Sequence, residues 1–146
     1  MRRGAPLALV LACCSCRHIS FDRHPLEVER LESVTPGGVR WHDLYLGEGP
    51  AAQLGDVVVF DYTFWLLGGE RVDSTLDRGV PFEAALGSVP VEGLNQGIVG
   101  MRPGGRRRMQ IPPELAYGPA GVPDLVPPDS PLDCELHLVE VRPAAR

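Results

Sequence analysis

Cys13, Cys14 and Cys16 crowd together, with His18 close behind. Thiolates and imidazole are soft metal ligands, but this spacing fits no zinc pattern, and no metal is expected. Cys134 stands alone in an alternating apolar stretch and reads as a buried thiol. Arg106, Arg107 and Arg108 form the one basic run, on a chain of formal net charge −5. Three charges do not make a phosphate-binding face on such a chain, so nucleic acid is not expected as a partner. The run reads instead as a solvated, strand-borne charge cluster. The polar group that most needs a role is Tyr117. In "RRMQIPPELAYG" a strand-like half meets Pro112 and Pro113, and one exposed-looking tyrosine follows before Gly118.

The frame that positions these groups is built from 146 residues, one domain plus short extensions, with a real core. Gly at 17 and Pro at 15 favour many turns between short strands. Val39 to Leu46 is a first candidate strand, and Val57 to Leu67 a long second one. In the second, Phe60, Tyr62, Phe64 and Leu66 share a face by period-two alternation. A hairpin at Leu67, Gly68 and Gly69 returns the chain through Arg71 to Ser74. "TLDRGVP" reads as a loop and "FEAALG" as a short strand or turn. Gly93 to Met101 is the one helix-like stretch, with Leu94, Ile98 and Met101 on one face. Arg106 to Ile111 is a strand. Leu132 to Val141 is the last, with Leu132, Cys134, Leu136, Leu138 and Glu140 alternating against Asp133, Glu135, His137 and Val139. The expected architecture is α+β: a curved antiparallel sheet wrapped around one short helix.

The N-terminus belongs to another kind of sequence. Arg2 and Arg3 precede a short apolar run from Ala5 to Ala12, too short to span a bilayer. The run closes on "VLAC", so residues 1–16 resemble a bacterial lipoprotein signal with Cys13 as the lipidated residue. A plain secretory signal and an unstructured cytoplasmic extension are the rival readings. Export to the bacterial envelope, periplasmic or membrane-anchored, is the expectation. Residues 17–36 read as a polar linker with at most a helical turn, closed by "TPGG".

The ordered set "VFDYT", "GGERVDST", "PFEAALG", "VEGLNQGIVGM", "PGGRRRMQIPPELAYG" and "VPPDSPLDCELHLVEV" resembles the FKBP-type peptidyl-prolyl cis-trans isomerase domain. The resemblance covers nearly all of Gly37 to Pro143 and marks residues 37–143 as that domain. It implies a half-barrel of five or six antiparallel strands around a short helix, which agrees with the residue-level sketch. It also implies an apolar cleft for proline-containing polypeptides, no cofactor and no covalent intermediate. Position by position, it makes Tyr62 and Phe82 walls, Leu94 the floor, and Asp73 a buried acid facing the substrate carbonyl with Arg78 as ion-pair partner. Val91 offers a side chain and a backbone N–H, Tyr117 donates its hydroxyl, and Val122, Leu125 and Val126 line the following loop. Val72 and Cys134 stand at further wall positions.

Both of those, with Leu94, are smaller than the aromatic residues usual at their positions. Ala84 is also small, and Phe64 stands where a glycine commonly follows "YT". A wider or flatter cleft with reduced turnover is therefore expected. Two classes follow: an exported prolyl isomerase, or a weakly catalytic or non-catalytic module of the same fold that binds or chaperones unfolded chains. The long helical dimerisation arm of some exported relatives is absent, so a monomer is the default expectation.

Overall fold

The computed structural model describes residues 32–145. The expected signal segment, Cys13 and most of the linker lie outside the described residues. Strands β1 (Ser33–Val34), β2 (Arg40–Tyr45), β3 (Val57–Leu66), β4 (Arg71–Ser74), β5 (Phe82–Ala85), β6 (Arg106–Ile111) and β7 (Leu132–Arg142) form one sheet. Two helices interrupt them, α1 (Thr75–Arg78) and α2 (Glu92–Ile98). The order is β1-β2-β6-β7-β3-β4, with β5 also pairing to β3, and every pairing is antiparallel. The open antiparallel sheet with a short helix is present, with seven strands where five or six were expected, the two-residue β1 among them. The linker is shorter than expected, because Ser33 and Val34 already pair with Trp41 and Arg40.

β3 organises the sheet. Its aromatic and β-branched residues suit a pleated, half-buried surface, and Val58, Phe60, Tyr62 and Phe64 point into the core. β7 pairs along its whole length on one side. The other side is shared: β5 takes Val57 to Phe60, and β4 takes Thr63 to Trp65. Between these two pairings Asp61 and Tyr62 have no strand partner on that edge. The Thr75 side chain fills the gap, accepting from the Tyr62 backbone N–H at 3.0 Å and donating to Asp61 Oδ1 at 2.8 Å. A buried N–H that would otherwise be orphaned is thereby satisfied.

Two expectations about strand faces change. Glu140 does not join the buried side of β7. The register shifts between Val59 and Phe60, which pair with Glu140 and Leu138, so Val139 is an extra residue. That bulge leaves Val139 and Glu140 outside and turns Val141 inward. The arginine run is not uniformly solvated either. Arg106 and Arg108 are exposed, but Arg107 is only 3% exposed and lies on the inner face.

The inner face of β6 reads along α2. Ile111 lies under Gly93, where a Cβ would stand 2.3 Å from its Cγ2, and Met109 lies under Gly97, where a Cβ would stand 2.1 Å from its Sδ. These two glycines, one helical turn apart, let the helix approach the sheet more closely than alanines would. Arg107 completes the row. Its Nη1 donates to the Gly97 carbonyl at 2.7 Å, at the open C-terminal end of α2, where a cation is favourable. Its other nitrogens hold Asp43 at 2.7 and 3.1 Å, and its guanidinium carbon sits 3.5 Å from the Trp41 ring centroid. This bidentate, stacked geometry suits arginine and not lysine.

Candidate active site

α1 is a single turn in the segment expected to be a loop. Ser74 caps its N-terminus by accepting from Leu76 N–H at 3.2 Å, and Gly79 closes it in the left-handed region at φ 66°. The turn folds Arg78 back onto Asp73. Nη1 donates to Asp73 Oδ1 at 2.8 Å, and Nη2 donates to the Tyr62 hydroxyl at 2.8 Å. The Tyr62 hydroxyl in turn donates to Asp73 Oδ2 at 2.7 Å. Three side chains close a ring of hydrogen bonds, and both carboxylate oxygens are engaged. Asp73 is not the buried acid expected: its side chain is 32% exposed and that of Arg78 50%. At that exposure an isolated ion pair contributes roughly 0–1 kcal/mol, so the ring matters for orientation more than for stability.

The oriented group is the Tyr62 ring. It sits 4.7 Å from the Phe64 centroid, 6.1 Å from Phe60 and 6.4 Å, edge-on, from Phe82. Phe82 faces Phe60 across the β3–β5 pair at 5.5 Å. Leu94 and Val91 are buried at 2% and 7% exposure, and Val72, Phe82, Tyr117 and Val122 are half-buried against the same cluster. The structure therefore gathers Tyr62, Val72, Phe82, Val91, Leu94, Tyr117, Val122 and Val126 in or against one apolar core cluster.

Pro112, extended at φ −66° and ψ 155°, ends β6, and Pro113 opens a 3₁₀ turn through Leu115. A second turn, Gly118–Ala120, follows Tyr117. The Tyr117 hydroxyl has no hydrogen-bond partner among the described residues. Burial, together with the negative charge of Asp73, raises its pKa. It stays a protonated donor at neutral pH. The Val91 N–H, just before α2, also has no partner among the described residues.

Two expected members do not stand as expected: Leu125 is outside the cluster, and Cys134 lies within it but fully buried. Leu125 is 54% exposed and stands in a neighbouring groove with Leu66 and Glu70. Cys134 has no exposed surface and pairs across the sheet with Phe64 and Met109. Burial holds its thiol well above the usual range, so it packs as an inert small apolar side chain. Its cross-strand partner supplies the volume it lacks. Phe64, large where a glycine is common, sits opposite the small Cys134 and backs Tyr62 directly. The expected flattening at that wall is thus offset from the adjacent strand.

Other supporting residues were not legible as such. Asn95 is buried and accepts from Gly87 N–H at 2.8 Å and Val89 N–H at 3.1 Å, while donating to the Val89 carbonyl at 3.0 Å. It ties the segment before Val91 to α2. The Ser74–Gly79 spacing was the available signal for α1; nothing local marks Thr75 or Asn95.

An open antiparallel sheet packed on a short helix, with an aromatic cluster on its inner face and the Tyr117 hydroxyl and Val91 N–H unpartnered among the described residues, brings the expected site residues together. Comparison with known proteins agrees. Residues 49–139 match the family model of the FKBP-type peptidyl-prolyl cis-trans isomerases. An FK506-binding protein of Neisseria meningitidis serogroup B is 38% identical over 106 residues, covering 72% of this chain and 97% of that protein. The FKBP-type peptidyl-prolyl cis-trans isomerase FkpA of Escherichia coli K12 is 37% identical over 124 residues, covering 85% of this chain but 45% of FkpA. The crystal structure of Escherichia coli FkpA superposes with a TM-score of 0.71 at 35% identity, over 78% of this chain and 53% of that one. The chain belongs to the FKBP-type peptidyl-prolyl cis-trans isomerase family.

The Tyr62 phenol carries a measurable signature. Burial, then its bond to Asp73, pushes it from 10.0 up to about 12, against the opposing pull of Arg78. A raised phenol favours the folded state in full below the unfolded value of about 10, and that contribution fades as pH climbs from 10 towards 12. A phenolate absorbance titration of the folded protein should show a step near 12 that Tyr62→Phe removes, while Tyr117, also raised, still titrates late. If all phenolate in the folded protein appears near 10, Tyr62 is not buried and bonded to Asp73 in solution.

Proposed function

We propose that the protein accelerates cis–trans isomerisation of X–Pro bonds in polypeptides by seating the proline ring in a cleft at this aromatic cluster. The observation that carries the reading is the pairing of an aromatic wall, held by Asp73 and Arg78, with a Tyr117 hydroxyl that has no partner among the described residues. An X–Pro amide has partial double-bond character and a rotation barrier of roughly 18–20 kcal/mol. At the transition state the amide twists, conjugation is lost and its carbonyl becomes less polar. Apolar walls therefore disfavour the planar ground state more than the twisted one, and this difference is catalysis without a nucleophile.

The roles follow from what each group has left to give. Tyr62 and Phe82 press on the ring, with Leu94 beneath. The Tyr117 hydroxyl and the Val91 N–H donate to the substrate and hold it while the amide turns. Asp73 acts through Tyr62: with each oxygen already held by Tyr62 or Arg78, its role is to orient the wall. Val72, smaller than the aromatic usual there, leaves that side more open.

We also infer that the protein acts on exported polypeptides. The supports are Arg2 and Arg3, the apolar run from Ala5 to Ala12, and Cys13 directly after a small residue. Lipidation at Cys13 is the specific form of this reading.

The assay is isomerisation of a short X–Pro peptide, followed by protease coupling. Asp73→Ala removes an ion-assisted hydrogen bond and frees the Tyr62 ring, so kcat/KM should fall roughly ten- to hundredfold, from about 1.5–3 kcal/mol. Unchanged turnover in a folded variant would remove Asp73 from the site, and absence of turnover in the parent would favour a binding module.

Export is tested separately, by expression in a bacterial host with fractionation. The mature protein should partition with membranes, and Cys13→Ser should block lipid attachment and release it or leave it unprocessed. A full-length soluble cytoplasmic protein that keeps Met1 would refute the proposal.

A further inference from the structure

Next to the cleft lies a groove of about 420 Å³, between the β3–β4 hairpin and the loop that follows Tyr117. Leu66 and Glu70 form one side, and Val122, Asp124, Leu125 and Pro127 contribute to the other. The loop is braced internally. Val122 N–H donates to the Val126 carbonyl at 2.8 Å, Val126 N–H returns the bond at 2.9 Å, and Leu125 N–H donates to Val122 at 3.0 Å. Pro123 and Asp124 make the turn, Asp124 in the left-handed region at φ 62°. A groove already rigid in the free protein needs little ordering when it binds.

Three features define the occupant. The groove borders the aromatic cluster: its lining residue Val126 belongs to the apolar cluster that includes Tyr62, and Val122 packs against it. Its exposed apolar wall is Leu125, at 54% exposure. Its polar groups are the carboxylates of Glu70 and Asp124, which form no ion pair or side-chain hydrogen bond among the described residues. The arginine next in sequence to Glu70 is already engaged, Arg71 with Asp77 at 3.1 Å. Apolar walls beneath unpaired carboxylates fit a long basic side chain, its aliphatic stem on Leu66 and Leu125 and its cationic head in water beside Glu70 and Asp124.

We propose that this groove is a subsite for the polypeptide flanking the substrate proline and selects a lysine or arginine within a few residues of it. The proposal rests on the isomerase reading of the cleft and narrows its substrate class. Glu70 and Asp124 are then specificity-determining and not catalytic. They set which sequence context enters, while Tyr62, Phe82 and Tyr117 act on the proline.

The test is a set of peptides around one X–Pro bond, with arginine, glutamine or glutamate placed in turn at each flanking position. On one flank, kcat/KM at low ionic strength should be roughly three- to tenfold higher for arginine than for glutamate, the scale of partly exposed charge pairs. The preference should shrink with added salt. The double variant Glu70→Gln, Asp124→Asn should erase it while leaving the glutamine peptides unchanged. Asparagine tolerates the left-handed backbone at position 124, so the loop keeps its turn.

Equal turnover of arginine and glutamate peptides at every position would overturn the subsite. So would a preference that survives in the double variant, because it would then come from the net charge of the whole molecule. If even the glutamine peptides are not turned over, the isomerase reading fails. The subsite is then judged by fluorescence anisotropy on the same labelled peptides, where Kd must follow the same charge order and lose it in the double variant.

Discussion

The candidate site depends on one ring of hydrogen bonds, Tyr62 to Asp73 to Arg78 and back to Tyr62. It joins three neighbouring elements: the middle of β3, the end of β4 and the last residue of α1. The ring exists because β3 loses its strand partner at Asp61 and Tyr62. Thr75 fills the break, and the chain turns once through α1 before rejoining the sheet as β5. The local interruption of the ladder is thus what lets a phenol be held from behind by a carboxylate and a guanidinium. A continuous β3–β4 pairing would carry Arg78 past Asp73.

The opposite side of the cleft is held by packing. Gly93 and Gly97 seat α2 on Ile111 and Met109, and Arg107 ties off its far end while gripping Asp43 and stacking on Trp41. A buried guanidinium is tolerated there because every direction it faces offers a partner, and removing one partner of such a pair typically costs roughly 3–5 kcal/mol. Leu94 and Val91 inherit their positions from this seat and from Asn95. One wall is therefore fixed by directed hydrogen bonds and the floor by close contact, and both are in place before any ligand arrives. That is the pre-organisation a site without covalent chemistry requires.

Much of this was legible in the sequence. Period-two alternation in Val57 to Leu67 and Leu132 to Val141 located the two central strands, and Leu94, Ile98 and Met101 located the helix. The ordered motifs placed Asp73 beside Arg78. What escaped depended on pairing across the chain. Arg107 looked solvated because its neighbours are arginines, and only β2 and α2 together supply the partners that bury it. Glu140 was misplaced because a bulge cannot be counted from alternation alone. The small Cys134 implied a lost wall until Phe64 was seen opposite it. Leu125 was read as lining the cleft, whereas the turn at Pro123 and Asp124 directs it into the neighbouring groove.

The central claim is that Asp73 serves the cleft by orienting Tyr62. A double-mutant cycle on kcat/KM tests it most directly, using Tyr62→Phe, Asp73→Ala and the two combined, with folding checked by denaturant unfolding. The account predicts strong coupling: once Asp73 is gone, removing the Tyr62 hydroxyl costs little more, and the double variant is nearly as active as Asp73→Ala alone. Independent, additive losses would contradict it, because Asp73 would then act on the substrate by a route that does not pass through Tyr62.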